Sequence, residues 1–383
     1  MSIPPPADPP GLYCDAPKAL YAWSCTLERT RDGESGWWQL VHQARCHDRL
    51  VEFAAAHHVD RVYLYVGAVE WDWAGAFSAG TLPYADDVAV LTARLRSAGI
   101  EPWALWYLND DPDDLGHAER VVDVVSAVDA FSRAHPDGAF AGLPGDQEPN
   151  DPAANPAYLA MTEAGRDAAV AVGLGFGAAH KPAWILGADP LSAEILARST
   201  AGTLMDYTDD PALAADRGDR FLAGADAVGV TGELALETGT TDPTPGVSFA
   251  TLVATDPEGF FAMVGDLHAG WSAHPGYDGI AIHDFAQYFA GLNGGVGPYD
   301  FDGVVPVICP PATTGTTGTD GTTVPTGSTG TTVATGTTGG TTGADPSDVE
   351  TSGPTADGCG CGSRSGSAIG AASPRASSAW SSS

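Results

Sequence analysis

The sequence predicts an α/β protein, a single (β/α)8 barrel followed by a disordered Thr/Gly-rich tail. Between residues 18 and 300, eight short apolar runs alternate with segments of helical periodicity. Helix starts are marked by capping residues set before prolines, and glycine, 48 residues in all, is densest toward the C-terminus. Eight strands, each followed by a helix over about 280 residues, match the count and size of such a barrel, whose strands are covered on both faces and read as continuous apolar runs. A doubly wound sheet is the alternative, but no Gly-x-Gly-x-x-Gly follows the first run.

In order, the runs are Ala19 to Ser24, Arg61 to Gly67, Pro102 to Leu108, Ala139 to Gly145, Leu174 to Ala179, Thr203 to Tyr207, Glu233 to Thr238 and Gly279 to His283. Between them Val88, Leu91 and Leu95, and then Val121, Val124, Val125 and Val128, recur at spacings of 3 and 4 that mark one buried helical face. Asn155-Pro156, Asp189-Pro190, Asp210-Pro211 and Asp256-Pro257 each put a capping side chain before a proline at the first helical position. The cap accepts an orphan backbone N–H, and proline loses nothing where that N–H has no partner. Asp209, Asp210 and Asp284 are expected to act as caps, with one helix running from Asp210 to Val228.

Residues 1–17 read as a Pro-rich N-terminal segment and 18–310 as the barrel. Residues 311–358 form a low-complexity linker and 359–383 a Ser/Ala-rich tail. Thr/Gly repeats such as those from Thr313 to Thr342 cannot bury enough apolar surface to offset their chain entropy, so this part reads as a disordered stalk. The stretch Asp357, Gly358, Cys359, Gly360, Cys361 resembles the cysteine element of myxobacterial surface-sorting tails, in which an apolar helix and an arginine cluster follow. Here Gly362 to Ser383 supplies only Arg364 and Arg375, so the expectation is that the anchor is absent or its reading frame is altered.

A formal charge of -32, from 49 acidic and 17 basic residues, leaves no cationic face for phosphate backbones or anionic lipid. Nucleic acid is therefore excluded as a partner, and no apolar stretch reaches the length of a membrane span. The cysteines at 14, 25, 46, 309, 359 and 361 form no paired CxxC grid with a nearby His, so disulfides are the better reading. That implies an extracellular or cell-surface protein, although the N-terminus lacks a secretion signal, a conflict a mis-chosen start codon would reconcile. Cys25 and Cys46 belong to the top of the barrel, Cys14 and Cys309 to the bottom, and these are the expected pairs.

Catalytic groups in a barrel stand at the C-terminal ends of the strands. Strand one ends in Trp23 and Ser24, strand two runs into Glu70, Trp71, Asp72 and Trp73, and strand three ends at Trp106, Tyr107 and Asn109. Strand four ends Gly145, Asp146, Gln147, Glu148, Pro149, Asn150. Strand five leads into His180, Lys181 and Trp184, strand six ends Met205, Asp206, Tyr207, strand seven ends Glu237, and strand eight ends His283, Asp284. Asp146 and Glu148, two residues apart, point the same way on a pleated strand, and two carboxylates in a confined site repel, which raises one pKa and prepares a proton donor. Glu237 is the third acid if strand seven starts at Glu233; if the strand were Ala225 to Glu233, Glu233 would be the top acid. The apolar Leu234, Ala235 and Leu236 favour Glu237.

These residues resemble the barrel glycoside hydrolases with paired glutamates, through Gln147-Glu148-Pro149 after strand four, Tyr207 after strand six and an acid after strand seven. Gln147 departs from the usual asparagine. Asp146-x-Glu148 with Met205-x-Tyr207 equally resembles chitinase-like barrels, where an aspartate assists the substrate's N-acetyl group, but their full strand-four motif carries two further aspartates, and here Gly142 and Pro144 break it. The resemblance implies a retaining hydrolase with Glu148 as acid/base and Glu237 as nucleophile, Asp146 tuning Glu148, Tyr207 orienting Glu237 and His283 contacting a sugar hydroxyl. Trp23, Trp106, Trp184, Asp206 and His180 complete the expected carbohydrate-binding set, without cofactor or metal, in a monomer. The alternatives are a chitinase-like substrate-assisted hydrolase and a non-catalytic carbohydrate-binding barrel.

Overall fold

The computed structural model describes residues 11–28, 30–31, 34–68, 80–107, 118–149, 155–186, 191–239 and 246–310. The expectations for the tail, for Glu70 to Trp73, Asn109 and Asn150, and for the Asp189-Pro190 cap fall outside them. Eight parallel strands close into a barrel: β1 (Lys18–Ala22), β2 (Arg61–Ala68), β3 (Glu101–Tyr107), β4 (Gly142–Gly145), β5 (Gly175–His180), β6 (Ala201–Met205), β7 (Thr231–Glu237) and β8 (Tyr277–His283). Each strand pairs with its sequence neighbours, and β1 closes the ring against β8 through Lys18↔Ile280 and Leu20↔Ile282. The strand ends differ from expectation by a few residues, most in β4, which begins at Gly142 rather than Ala139.

A short helix, α1 (Gly11–Asp15), precedes β1, and helices follow the strands, the first being α2 (Gly36–His42) and α3 (Ala44–Ala56). After them come α4 (Ala85–Ser97), α5 (Ala118–Ala134), α6 (Asn155–Val172), α7 (Ala183–Leu186), α8 (Leu191–Leu196), α9 (Pro211–Val228), α10 (Ala250–Thr255), α11 (Pro257–Trp271) and α12 (Phe285–Leu292). The valine and leucine stripes of α4 and α5 are fully buried against the strands. Asp210 accepts from the N–H groups of Ala212 and Leu213, Asp256 from Gly259 and Asp284 from Gln287. These three therefore cap helices, whereas the Asp209 side chain is exposed and takes no part in the α9 cap.

Strand parity decides what enters the barrel. Alternate residues face opposite sides, and the inner set comprises Ala19, Tyr21, Tyr63, Leu105, Ala235 and Ala281, flanked by Trp23, Tyr65, Trp103 and Tyr207. Trp103 fills the lower barrel because β4 and β5 offer it glycines in register, Gly142 opposite Gly175. A Cβ at Gly142 would lie 2.5 Å from the Trp103 ring, and one at Gly175 2.6 Å from it. That ring leaves no room for a side chain at Gly142 or Gly175.

Two disulfides match the expected pairs. Cys14 joins Cys309 at the bottom, with Cα atoms 5.4 Å apart, and Cys25 joins Cys46 at the top, with Cα atoms 5.9 Å apart. The lower bridge ties α1, whose Tyr13 is buried, to the end of the barrel, so packed structure begins ahead of Lys18.

Candidate active site

The acids at the mouth come from β4 and β7. Glu237 ends β7 and His283 ends β8, and the two are register partners on adjacent strands with side chains inward. Their pairing follows directly: His283 Nδ1–H donates to Glu237 Oε2 at 2.8 Å, and the Gly239 N–H donates to Oε1. Glu237 is 6% exposed, so these two donors, rather than bulk water, are its partners. The opposite imidazole nitrogen receives the Trp23 indole N–H at 2.9 Å. Trp23, two residues past Tyr21 on the inward side of β1, also packs on Tyr65 with ring centroids 4.7 Å apart.

The protonation of His283 answers to two opposed demands. Burial disfavours the imidazolium, yet Glu237, Asp284 and Asp146 outweigh it and pull the group up to about 9. The indole N–H can only donate, so its bond to Nε2 requires a lone pair there. It opposes the second proton and sets the imidazole below that ceiling, favouring the neutral tautomer with its proton on Nδ1.

Asp146 and Glu148, both partly exposed, follow the end of β4, where the Asp146 N–H donates to Trp106 O at 2.9 Å. Burial pushes the Tyr207 hydroxyl well up, and the charges of Glu237, Glu148 and Asp146 push it further. Tyr207 therefore stands within the field of all three carboxylates. Its hydroxyl donates to Met205 Sδ at 3.3 Å, while Glu237 takes its donors from His283 and Gly239. The partner expected to orient Glu237 is thus replaced by His283. Asp146 also bears on Tyr21 and His283 from across the barrel.

Four of the expected residues lie elsewhere. Trp106, on the outward parity of β3, is 1% exposed and packs on Phe176 behind the wall. His180 bonds Ser192 of α8 at 3.0 Å and stacks edge-on against Phe221, and burial drives its pKa down to about 3. Asp206 pairs with Arg217 of α9 at 3.1 Å, and burial raises it to about 6 despite the guanidinium. Trp184 lies on α7, against Tyr158 of α6. Trp106, His180 and Asp206 sit on the helix side of the barrel because a neighbour in sequence holds the inward position, as Tyr207 does for Asp206, whereas Trp184 lies on a helix.

The Gly239 N–H escaped the sequence reading because a backbone donor has no residue signature. Tyr21 was legible, since it shares the parity of Trp23. Among the described residues no group of three or more His, Cys, Asp or Glu side chains is placed to hold a metal ion. No helix among them is long and apolar enough to cross a membrane.

No protein-family model and no curated protein matches the chain. Solved structures similar to it include a chitinase from Bacteroides thetaiotaomicron, 12% identical, covering 75% of this chain and 96% of that one with a TM-score of 0.47. A putative alpha-L-fucosidase from Bacteroides thetaiotaomicron VPI-5482 is 12% identical over 77% of this chain and 92% of that one, with a TM-score of 0.46. A GH18 chitinase from Pseudoalteromonas aurantia is 9% identical over 73% and 98%, with a TM-score of 0.47. At these levels the assignment of the fold rests on the closed strand order, and the reading of the site on this chain's own residues.

Proposed function

We propose that the chain is a glycoside hydrolase acting on a poly- or oligosaccharide at the barrel mouth, with retention of anomeric configuration. Glu148 serves as general acid, protonating the leaving oxygen, and Glu237 attacks the anomeric carbon. Glu148 then removes a proton from the water that releases the product. The observation that carries this reading is the environment of Glu237: two N–H donors and little solvent suit an acid that must remain an anion to act as nucleophile. Asp146 supports Glu148, Trp23 offers a ring face to a sugar, and Tyr207 lines the space between the acids. The scheme uses no cofactor, and one chain supplies every group.

A second reading has an observation of its own. Both Glu237 oxygens already accept a hydrogen bond, which suits a group that orients His283, and Asp146 bears on Tyr21, Tyr207 and His283 together. In that scheme Asp146 steers a substrate N-acetyl group and Glu148 remains the acid. Two disulfides accord with an exported protein, the Thr/Gly stretch serving as a spacer. Turnover of a panel of polysaccharides, lost in Glu148→Gln, supports hydrolysis. Binding without cleavage by the wild type leaves the carbohydrate-binding barrel. Cleavage restricted to N-acetylated sugars with Glu237→Gln still active supports the substrate-assisted scheme.

A further inference from the structure

We propose that Lys181 is a positioning residue that clamps the Asp146–Glu148 segment in place, an inference that rests on Glu148 being the acid/base. The segment needs such support. β4 is four residues long and meets β3 through one register pair, Trp106↔Gly145, while its ladder with β5 ends at Gly145↔Ala178. Past the Asp146 N–H bond to Trp106 O, Gln147 to Pro149 extend beyond the sheet, and Pro149 has no N–H with which to continue a ladder. β5 runs on to His180, whose ring turns outward and is fixed by Ser192. The next residue sends its ammonium back across the gap.

Lys181 Nζ donates to Glu148 O at 2.5 Å and lies 3.4 Å from Pro149 O. Hydrogen bonds from a charged donor are roughly twice as strong as neutral ones. The ammonium thus holds the two carbonyls that the sheet leaves behind. Trp184 flanks it with its ring centroid 5.6 Å from Nζ, which gives that residue a role near the site without contact to sugar. The chain has only two lysines, and the other, Lys18, grips the carbonyls of Tyr13 and Ala16 at 2.6 and 2.7 Å at the opposite end of the barrel. The upper clamp differs in that it fixes the main chain of an acid required for the reaction, where a displacement of about 1 Å costs on the order of 10²-fold in rate.

The test uses the full chain with Lys181→Met and Lys181→Arg, read by amide hydrogen exchange and by kinetics. In Lys181→Met the Asp146 and Glu148 amides should exchange at least about tenfold faster while β7 amides stay unchanged. Turnover should fall at least about tenfold with KM within about threefold, and the arginine variant, which keeps the charge and the donors, should recover most of both. If the methionine variant does not fold, Lys181→Gln takes its place with the same expectations. Unchanged exchange at Asp146 and Glu148, or a loss confined to KM, overturns the clamp. Faster exchange in a protein whose wild type cleaves no glycan upholds the clamp and overturns the hydrolase reading instead.

Discussion

Glu233 and Glu237 stand on one strand, on one inward face, four residues apart, and the barrel surrounds them differently. At the bottom, Glu233 accepts from the Tyr63 hydroxyl at 2.7 Å and from Thr203 at 3.4 Å, with the Arg61 guanidinium 3.8 Å away and itself tied to Asp278. Burial pushes Glu233 up to about 7, beyond what Arg61 takes back. At the top, at the C-terminal end of the strand, Glu237 meets one imidazole and one backbone N–H. A buried acid enclosed by a hydroxyl, a guanidinium and aromatic rings is part of the framework; a buried acid at the strand end with one side toward the mouth is available for chemistry.

The largest expected effect separates the two directly. Glu237→Gln should lower turnover on the responsive glycan by about a thousandfold or more, in line with loss of a nucleophile or an essential acid-base group. Glu233→Gln should leave turnover within about threefold once the protein is folded. Equal losses would erase the distinction between top and bottom.

The disulfides sharpen it next. In the chain-entropy model, removing Cys14–Cys309, which spans 295 residues, should cost about 6 kcal/mol. Removing Cys25–Cys46, which spans 21, should cost about 3 kcal/mol. Denaturant unfolding of Cys→Ser pairs checks the order, and KM should respond only to the upper pair, which borders the mouth.

A pH effect of about 3 kcal/mol follows for Glu233 if its pKa rises on folding from the model-peptide value to about 7. The native state then binds the proton more tightly than the unfolded chain, so the stabilisation is complete at acid pH and is lost as pH rises through about 7. Glu233→Gln should remove that slope, measured as unfolding free energy between pH 4 and pH 8. A wild-type stability that rises across this range, with the variant parallel to it, would contradict the assignment.

The smallest effect lies at the mouth. Trp23→Phe deletes the indole donor from His283 Nε2, so the imidazole should take its second proton about one pKa unit more readily, observable by histidine ring NMR across pH 6 to 10. An unchanged midpoint would mean that the indole does not govern the tautomer.

The barrel was legible because its signals are repetitive: eight apolar runs, leucine and valine stripes such as Val88, Leu91 and Leu95, and caps such as Asp210 before Pro211. The cysteine pairs followed from which end of the barrel each residue occupies. The site was half legible. Asp146, Glu148, Glu237, Tyr207, Trp23 and His283 come from strand ends and share the inward parity. Asp206, Trp106 and His180 carry suitable chemistry, but Tyr207, Leu105 and Ala179 beside them hold the inward positions, and parity alone sends them to the helix layer. The Gly239 donor and the Lys181 clamp act on or through main-chain atoms, which no residue pattern announces.

The pairing of Glu148 with Glu237 is tested most directly by the anomer first released from an α- or β-defined glycan, followed by proton NMR before mutarotation. Attack by Glu237 requires carboxyl groups about 5 to 5.5 Å apart and yields product of the substrate's own configuration, with that burst abolished in Glu237→Gln. Product of inverted configuration would mean a water between the acids, at roughly 6.5 to 9.5 Å, and would contradict the nucleophile role of Glu237.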